Sequence, residues 1–255
     1  MDWIFMELLN HTKMLIDERN KKYLIRVTGK FEHVKDLGII DTSRLIDKNN
    51  GDKIEVYDRN FWIIEPTTED LLEFLERSAQ IMSSKDIASI LYKCNIRSGS
   101  MVVEAGAGSG FMSIALLNTV RPAGKVITYE LRPDFAELSR KNIELAGLEK
   151  WWTLKLDDIA NISEKGVDSA VIDVPEPWTA VPAIHNSLKS SGWLSAYVPT
   201  VAQLERTVKI LRSHNFVNIE AKEILERKWV VGELGSRPET QMLGHTGFLI
   251  FARKV

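Results

Sequence analysis

Between residues 20 and 66 the apolar positions fall in short runs: YLIRVTG, LGIID, KIEVYD and NFWII. Turn-forming residues separate them, notably Asn49-Asn50-Gly51-Asp52 and Asp58-Arg59-Asn60. Short runs broken by such residues predict antiparallel strands, so 20–66 is expected to form a small β module. Residues 1–19 read as an appended helical segment, an N-terminal extension. Pro66-Thr67-Thr68-Glu69-Asp70 opens a helix, with Thr67 or Thr68 as its cap and acids in its first turn.

From residue 67 to 255 the rhythm becomes strand–helix alternation. Apolar strands are expected at MVVEAG, KVITYEL, WTLKL, SAVIDV and WLSAYVP. Helices are expected near 85–95, from 110, at 133–147, at 180–189 and at 201–213. Such alternation predicts an α/β domain whose parallel sheet is covered on both faces. Two last strands, in 216–228 and 246–253, have no helix between them and suit an antiparallel hairpin at the sheet edge.

Composition narrows the classes. Hydrophobic residues make up 44% and charged residues 27%, ordinary globular values. No apolar run approaches the roughly 20 residues of a membrane helix, and the first residues lack the basic start of a signal peptide. The single cysteine, Cys94, excludes an internal disulfide and a Cys-rich zinc site. A cytoplasmic protein without a metal centre is the expectation. The net charge of −2 argues against a nucleic-acid substrate. Charge is segregated, however: Arg19, Lys21, Lys22, Arg26 and Lys30 cluster early, and Arg227, Lys228, Arg237, Arg253 and Lys254 late. Either group alone reads as a solvated face.

The chemistry starts at Glu104-Ala105-Gly106-Ala107-Gly108-Ser109-Gly110-Phe111, between a strand and a helix. Glycines there permit a tight turn and close approach of backbone to a ligand. The spacing is G-x-G-x-G; Phe111 stands where a dinucleotide fingerprint requires its third small residue, which weakens a nicotinamide or flavin reading. Glu130 ends the following strand, where a carboxylate can accept both hydroxyls of an adenosine ribose. The pair is similar to that of Rossmann-like methyltransferases, whose cofactor, S-adenosyl-L-methionine, has no pyrophosphate to cradle. Glu104, Gly106, Gly108, Ser109, Gly110 and Glu130 are then cofactor-binding candidates. Asp158 is the candidate for the adenine amine, with Asp157 competing. After the fourth strand comes Asp173-Val174-Pro175-Glu176-Pro177-Trp178. Two prolines stiffen a loop that opens onto the ligand crevice, though a rigid turn with a packing tryptophan accounts for it equally. It resembles the Asp-Pro-Pro-Tyr loop of amine methylases, but two extra residues point away from amine methylation.

Taken together, the chain resembles the tRNA (adenine-N1)-methyltransferase family of bacteria and archaea over about residues 20–255. The likeness is carried by Gly29-Lys30, His33, Gly38, Gly51 and Pro66; by Arg77-Ser78-Ala79-Gln80-Ile81 and Lys85-Asp86; by Val103–Gly110 and Tyr129-Glu130-Leu131-Arg132-Pro133; by Asp173–Trp178; and by Arg237-Pro238 with His245-Thr246-Gly247-Phe248. One departure stands out. Ser83-Ser84 occupies the place of the family's Tyr-Pro, so Trp178 or Phe248 become candidates for stacking on the target base.

The resemblance implies a Rossmann-like class I methyltransferase with a seven-stranded, mostly parallel sheet and a small N-terminal β module. It implies methyl transfer from S-adenosyl-L-methionine to N1 of a T-loop adenine in tRNA. Adenine N1 carries an in-plane lone pair, so no proton leaves before attack; Asp173 is then a positioning and electrostatic residue. Gln80 is placed at the cofactor crevice, Arg237 and His245 near the tRNA, and a homotetramer is the family's usual assembly. Two other readings compete: a small-molecule, corrin-type methyltransferase of the same fold, and a noncatalytic tRNA-binding paralogue. The intact glycines, Glu130 and Asp173 favour an active enzyme over the latter.

Overall fold

The computed structural model describes residues 12–76, 81–232 and 235–255. The contacts divide the chain into two compact units. One runs to Glu76 and includes Asn142–Leu148; the other comprises residues 77–141 and 149–255.

The first unit begins with a strand, β1 (Thr12–Asp17), followed by β2 (Lys22–Arg26), β3 (Phe31–Val34), β4 (Gly38–Asp41), β5 (Lys53–Val56) and β6 (Arg59–Ile64). The sheet order is β2-β1-β6-β5, with β3 and β4 forming a separate hairpin. The helical reading of residues 1–19 is therefore corrected over 12–17. Met14, Leu15 and Ile16 pair antiparallel with both β2 and β6, and Met14 and Leu15 are fully buried. Residues 1–11 of that extension lie outside the described residues. The core gathers Leu15, Ile25, Phe61 and Ile63. Helix α1 (Thr68–Phe74) closes the unit, so the β module reaches past residue 66. Its start is a capping box: the Thr67 hydroxyl accepts from the Asp70 amide while Asp70 accepts from the Thr67 amide. Such caps contribute about 1 kcal/mol.

The second unit holds the large sheet. Its strands are β7 (Met101–Ala105), β8 (Lys125–Glu130), β9 (Trp152–Leu156), β10 (Val167–Ile172), β11 (Leu188–Val198), β12 (Phe216–Lys222) and β15 (Phe248–Lys254), in the order β12-β15-β11-β10-β7-β8-β9. The helices are α2 (Ser84–Lys93), α3 (Phe111–Val120), α4 (Pro133–Leu145, of which residues 142–145 are counted with the first unit), α5 (Pro177–Ser187) and α6 (Val201–Ser213). Strands β7 to β11 pair in parallel; β15 runs antiparallel to β11 and to β12. The terminal strands thus pair as expected, but β15 is interior and β12 takes the edge. A hairpin that apolar periodicity did not reveal, β13 (Trp229–Gly232) with β14 (Gly235–Pro238), is inserted between them.

Helix α3 is apolar on nearly every side because it is buried on nearly every side, from Phe111 to Leu117 and at Val120. That anchors the end of the glycine loop from which it springs. The register then aligns the site. Ala105 pairs with Tyr129 and Ile172, Ile172 with Ala196, and Val198 with Phe248. The carboxyl ends of β7, β8, β10 and β11, and the start of β15, therefore share one edge.

Candidate active site

At that edge the chain turns sharply after β7. Gly106, Gly108 and Gly110 all have positive φ, a conformation that costs glycine nothing and L residues roughly 1–2 kcal/mol. Gly106 is constrained twice. Its amide donates to the Tyr129 carbonyl at 2.9 Å, and a Cβ added there would overlap the carbonyl oxygen of Asp173. The Asp173 amide in turn donates to the Ala105 carbonyl at 2.8 Å. The glycine loop and the acid-bearing loop are thus packed backbone to backbone. Around Gly108, by contrast, a Cβ would meet nothing within 4 Å, so that glycine faces open space.

Glu130 ties down the other side. One carboxylate oxygen accepts from the Ala107 amide at 2.9 Å and the Gly108 amide at 3.4 Å; the other accepts from the Arg132 amide at 2.9 Å. The acid is held rigid by backbone donors before any ligand arrives, and the oxygen that accepts from Arg132 retains a lone pair for a ligand hydroxyl. Two adjoining cavities open here. One, of about 280 Å³, is lined by the glycine loop, Glu130, Met82, Met112, Phe135 and Asp173. The other, of about 390 Å³, is lined by Glu130, Leu131, Asp157, Asp158, Ile159 and Thr179, among others. They share Gly106, Glu130, Arg132, Val174 and Pro175. Such a crevice, outside the strands' carboxyl ends, is where α/β sheets bind ligands.

Asp173 lines the first cavity, and its carboxylate has no hydrogen-bond donor among the described residues. The residue is open to solvent on the cavity side, and the protein packed around its other sides desolvates the carboxylate and raises its pKa to about 6. Gln203 braces the loop behind it, donating to the Pro175 carbonyl at 2.9 Å. Trp178 lies in the first turn of α5 with the Arg206 guanidinium 4.2 Å from its ring centre. One face of this stacking candidate is therefore occupied.

Glu104 needs correction. It lines neither cavity and is buried, because alternation along β7 turns it beneath the loop. There it accepts from the hydroxyls of Ser113 and Thr128, while its second oxygen has no partner among the described residues. Burial raises its pKa to about 7, the two hydroxyls oppose the rise, and the nearby Asp173 and Glu130 charges add to it. Asp158 does line the second cavity, but one of its oxygens caps the short turn Ile159–Asn161 through the Ala160 amide at 2.8 Å. Asp157 is engaged likewise, with Asn161 at 2.8 Å. Ser109 is buried and lines the first cavity. Gln80 lies outside the described residues.

The C-terminal candidates separate. His245 is fixed between Glu223 at 2.5 Å and the Pro199 carbonyl at 2.8 Å, and its ring tilts against Phe248 with centroids 5.0 Å apart. The Glu223 hydrogen bond raises its pKa. This pair stands at the same sheet edge as Asp173. Beneath it, Gly247 leaves room for the Tyr197 ring, whose hydroxyl donates to the Thr246 carbonyl. The fully buried Asp86 accepts from Ser83 at 2.7 Å and from Thr246 and Lys85 at 2.9 Å. Arg237 is not part of the crevice; it lies on β14, exposed, and bonds only to the neighbouring Pro238 carbonyl among the described residues.

The sequence reading missed Leu131 and Ile159 as apolar walls of the second cavity. Leu131 is 65% exposed directly after a buried strand, and that exposed face lines the cavity. The signal was present: an apolar residue just beyond the strand's last paired position. Flat apolar walls beside the carboxylates Glu130, Asp157 and Asp158 suit a nucleoside.

Fold, glycine loop and strand-end carboxylate together define a Rossmann-like, S-adenosylmethionine-dependent methyltransferase. The family model described as tRNA methyltransferase complex GCD14 subunit matches residues 60–235, and the chain belongs to that family. It is 35% identical to the tRNA (adenine(57)-N(1)/adenine(58)-N(1))-methyltransferase TrmI of Methanocaldococcus jannaschii, over 94% of each chain. It is 28% identical to the tRNA (adenine(58)-N(1))-methyltransferase TrmI of Thermus thermophilus, covering 94% of this chain and 96% of that one. Among solved structures, tRNA (m1A58) methyltransferase TrmI from Aquifex aeolicus superposes with a TM-score of 0.82 at 28% identity, covering 96% of this chain and 97% of that one. A SAM-dependent O-methyltransferase from Thermotoga maritima superposes with a TM-score of 0.88 at 32% identity, covering 96% and 93%. A precorrin-6y C5,15-methyltransferase from Geobacter metallireducens shares the fold over 71% of this chain and 94% of its own, with a TM-score of 0.58 at 22% identity.

Proposed function

We propose that this protein transfers a methyl group from S-adenosyl-L-methionine to N1 of a T-loop adenine in tRNA, at position 58 or at 57 and 58, the positions in the names of its relatives. The observation that carries the reading is the Asp173 carboxylate, which has no hydrogen-bond partner among the described residues and is locked by its own backbone to the cofactor loop.

The residues fit the cofactor: an open space at Gly108, a preorganised Glu130 for ribose hydroxyls and apolar walls for adenine. When bound, S-adenosylmethionine supplies an activated methyl on a sulfonium. Asp173 then has two tasks. It accepts a hydrogen bond from the exocyclic amine of the acceptor adenine, and its charge offsets the cation that forms on the ring. No proton need leave the acceptor nitrogen, so a rigid carboxylate held by Pro175 and Pro177 serves better than a mobile base. With one face of Trp178 covered by Arg206, Phe248 and His245 are the aromatic surface best placed for the acceptor base. Glu130 and Asp158 hold the cofactor and Arg237 meets RNA phosphate away from the crevice. The base leaves its stacking partners to enter, as enzymes acting on nucleobases require.

The substrate makes this an RNA-binding protein of the cytoplasm. A homo-oligomer, a tetramer by family likeness, is supported by apolar exposure around the β13–β14 hairpin: Trp229 is 60% and Val231 81% exposed. Incubating the protein with labelled S-adenosylmethionine and unmodified tRNA transcripts, then mapping stops by primer extension, tests the proposal. A stop at the T-loop adenine is expected, and Asp173→Ala is expected to abolish it while keeping cofactor affinity. No label transfer to tRNA, with transfer to a small-molecule extract instead, would overturn it.

A further inference from the structure

At the opposite edge of the sheet the chain forms another cavity, of about 200 Å³, which shares no lining residue with the crevice. It sits where β7, β10 and β11 begin and β15 ends. Five residues of strand separate Asp168 on its wall from Asp173, roughly 16 Å at the rise of a β-strand.

Its walls carry three cations, Arg97, Lys189 and Arg253, against one acid, Asp168. The acid is already neutralised: it accepts from the Met101 amide at 2.7 Å and pairs with Lys189. Neither Arg97 nor Arg253 has a carboxylate partner among the described residues. Arg253 is held in place by its Nε donating to the Ser191 carbonyl at 3.4 Å and by its guanidinium lying 5.2 Å from the Trp193 ring centre. Its terminal nitrogens have no hydrogen-bond partner among the described residues. Asn95 and Ser191, both on the wall, add polar groups beside the two guanidinium forks. Trp193 is half-buried and carries a second cation, Lys93, 5.8 Å from its ring centre.

Two guanidinium groups without a carboxylate partner among the described residues line one small polar cavity; Arg97 shares the field of Asp168 with Lys189, the wall stays net positive, and the paired donors suit the oxygens of a phosphate. The net positive wall repels metal ions, and its polar lining disfavours an apolar guest. We propose that this pocket is a phosphate-binding site, with Arg97 and Arg253 as the primary ligands and Trp193 as the wall for the attached sugar. The phosphate comes either from a free nucleotide or from the backbone of an RNA chain. The latter source rests on the substrate proposed above and would add a contact remote from the reacting base.

The test uses the full chain and Arg97→Glu, an exposed position outside the catalytic machinery, with melting temperature as the fold control. Pyrophosphate and adenosine 5′-monophosphate are titrated by calorimetry at low salt, and tRNA transcript by fluorescence anisotropy across a salt series. Salt-sensitive pyrophosphate binding that weakens at least about tenfold in Arg97→Glu supports the site. An RNA-backbone ligand also lowers tRNA affinity and reduces the salt slope by about 1, with kcat at saturating tRNA unchanged. A free nucleotide instead loses only its own binding, with tRNA affinity intact. Pyrophosphate and tRNA binding both unchanged in Arg97→Glu would overturn the proposal. Absence of methyl transfer to tRNA by the unmodified protein would remove the RNA source but leave the pyrophosphate result standing.

Discussion

Asp173 offers the sharpest test, because its ionisation is set by its surroundings. With a pKa of about 6 the carboxylate is about nine-tenths ionised at pH 7 and about one-tenth at pH 5, a tenfold loss of the active form. An ordinary aspartate would stay more than about nine-tenths ionised over the same range. The kcat/KM profile for methyl transfer should therefore fall with unit slope below pH 6. A bound sulfonium cation favours the charged carboxylate, so the inflection in kcat is expected at lower pH than that in kcat/KM. Asp173→Asn should flatten the acid limb and reduce kcat by on the order of 10²–10³, the usual cost of one aimed electrostatic contact. The sign for stability is opposite. A raised folded-state pKa means the folded chain holds its proton more tightly, so this group's contribution falls as pH climbs from about 4 to about 6. Asp173→Asn should then melt at a higher temperature than the native chain at pH 7 and equally at pH 3. Initial rates with tRNA transcript, and calorimetric melting, supply the measurements. An acid limb inflecting below about pH 4.5, or full turnover by Asp173→Asn, would refute the reasoning.

Other outcomes follow from the same geometry. Gly106→Ala must relieve overlap with the Asp173 carbonyl and adopt a positive φ, so it should lose kcat by about 10²-fold and melt lower; native kcat would break the inferred link between the loops. Glu130→Ala should weaken S-adenosylmethionine binding in calorimetry, and an unchanged Kd would count against the ribose assignment. Glu104→Gln should keep cofactor affinity, since Glu104 lines no cavity; a large rise in Kd would restore it to the binding set. Asp86→Ala leaves Lys85 unpaired and partly buried and should cost about 3–5 kcal/mol in denaturant unfolding, against near-native stability if the network is dispensable.

The strands and helices of the large domain were legible in sequence because each is either uniformly apolar or amphipathic. WTLKL and 201–213 coincide with β9 and α6. What local pattern cannot carry is partner choice. Residues 12–17 read as helix because the bonds that make β1 a strand come from β2 and β6. The placement of Glu104 was missed for a related reason: the motif names a carboxylate before the glycines, and only the pleat decides which face it takes. The place of Leu131 on a cavity wall depends on which loops meet at the sheet edge, which its own hydrophobicity does not report. Arg237 lies on the β13–β14 hairpin, an element that the apolar periodicity does not reveal.

The placement of β15 bears on how the protein is made. Among the described strands it leaves the ribosome last, yet it fills the slot between β11 and β12. Until it arrives, β11 presents an open hydrogen-bonding edge and β12 has nothing to pair with, a state prone to association with other chains. Loss of the chain from Phe248 onward would therefore remove β15 and leave the edges of β11 and β12 unpaired at once.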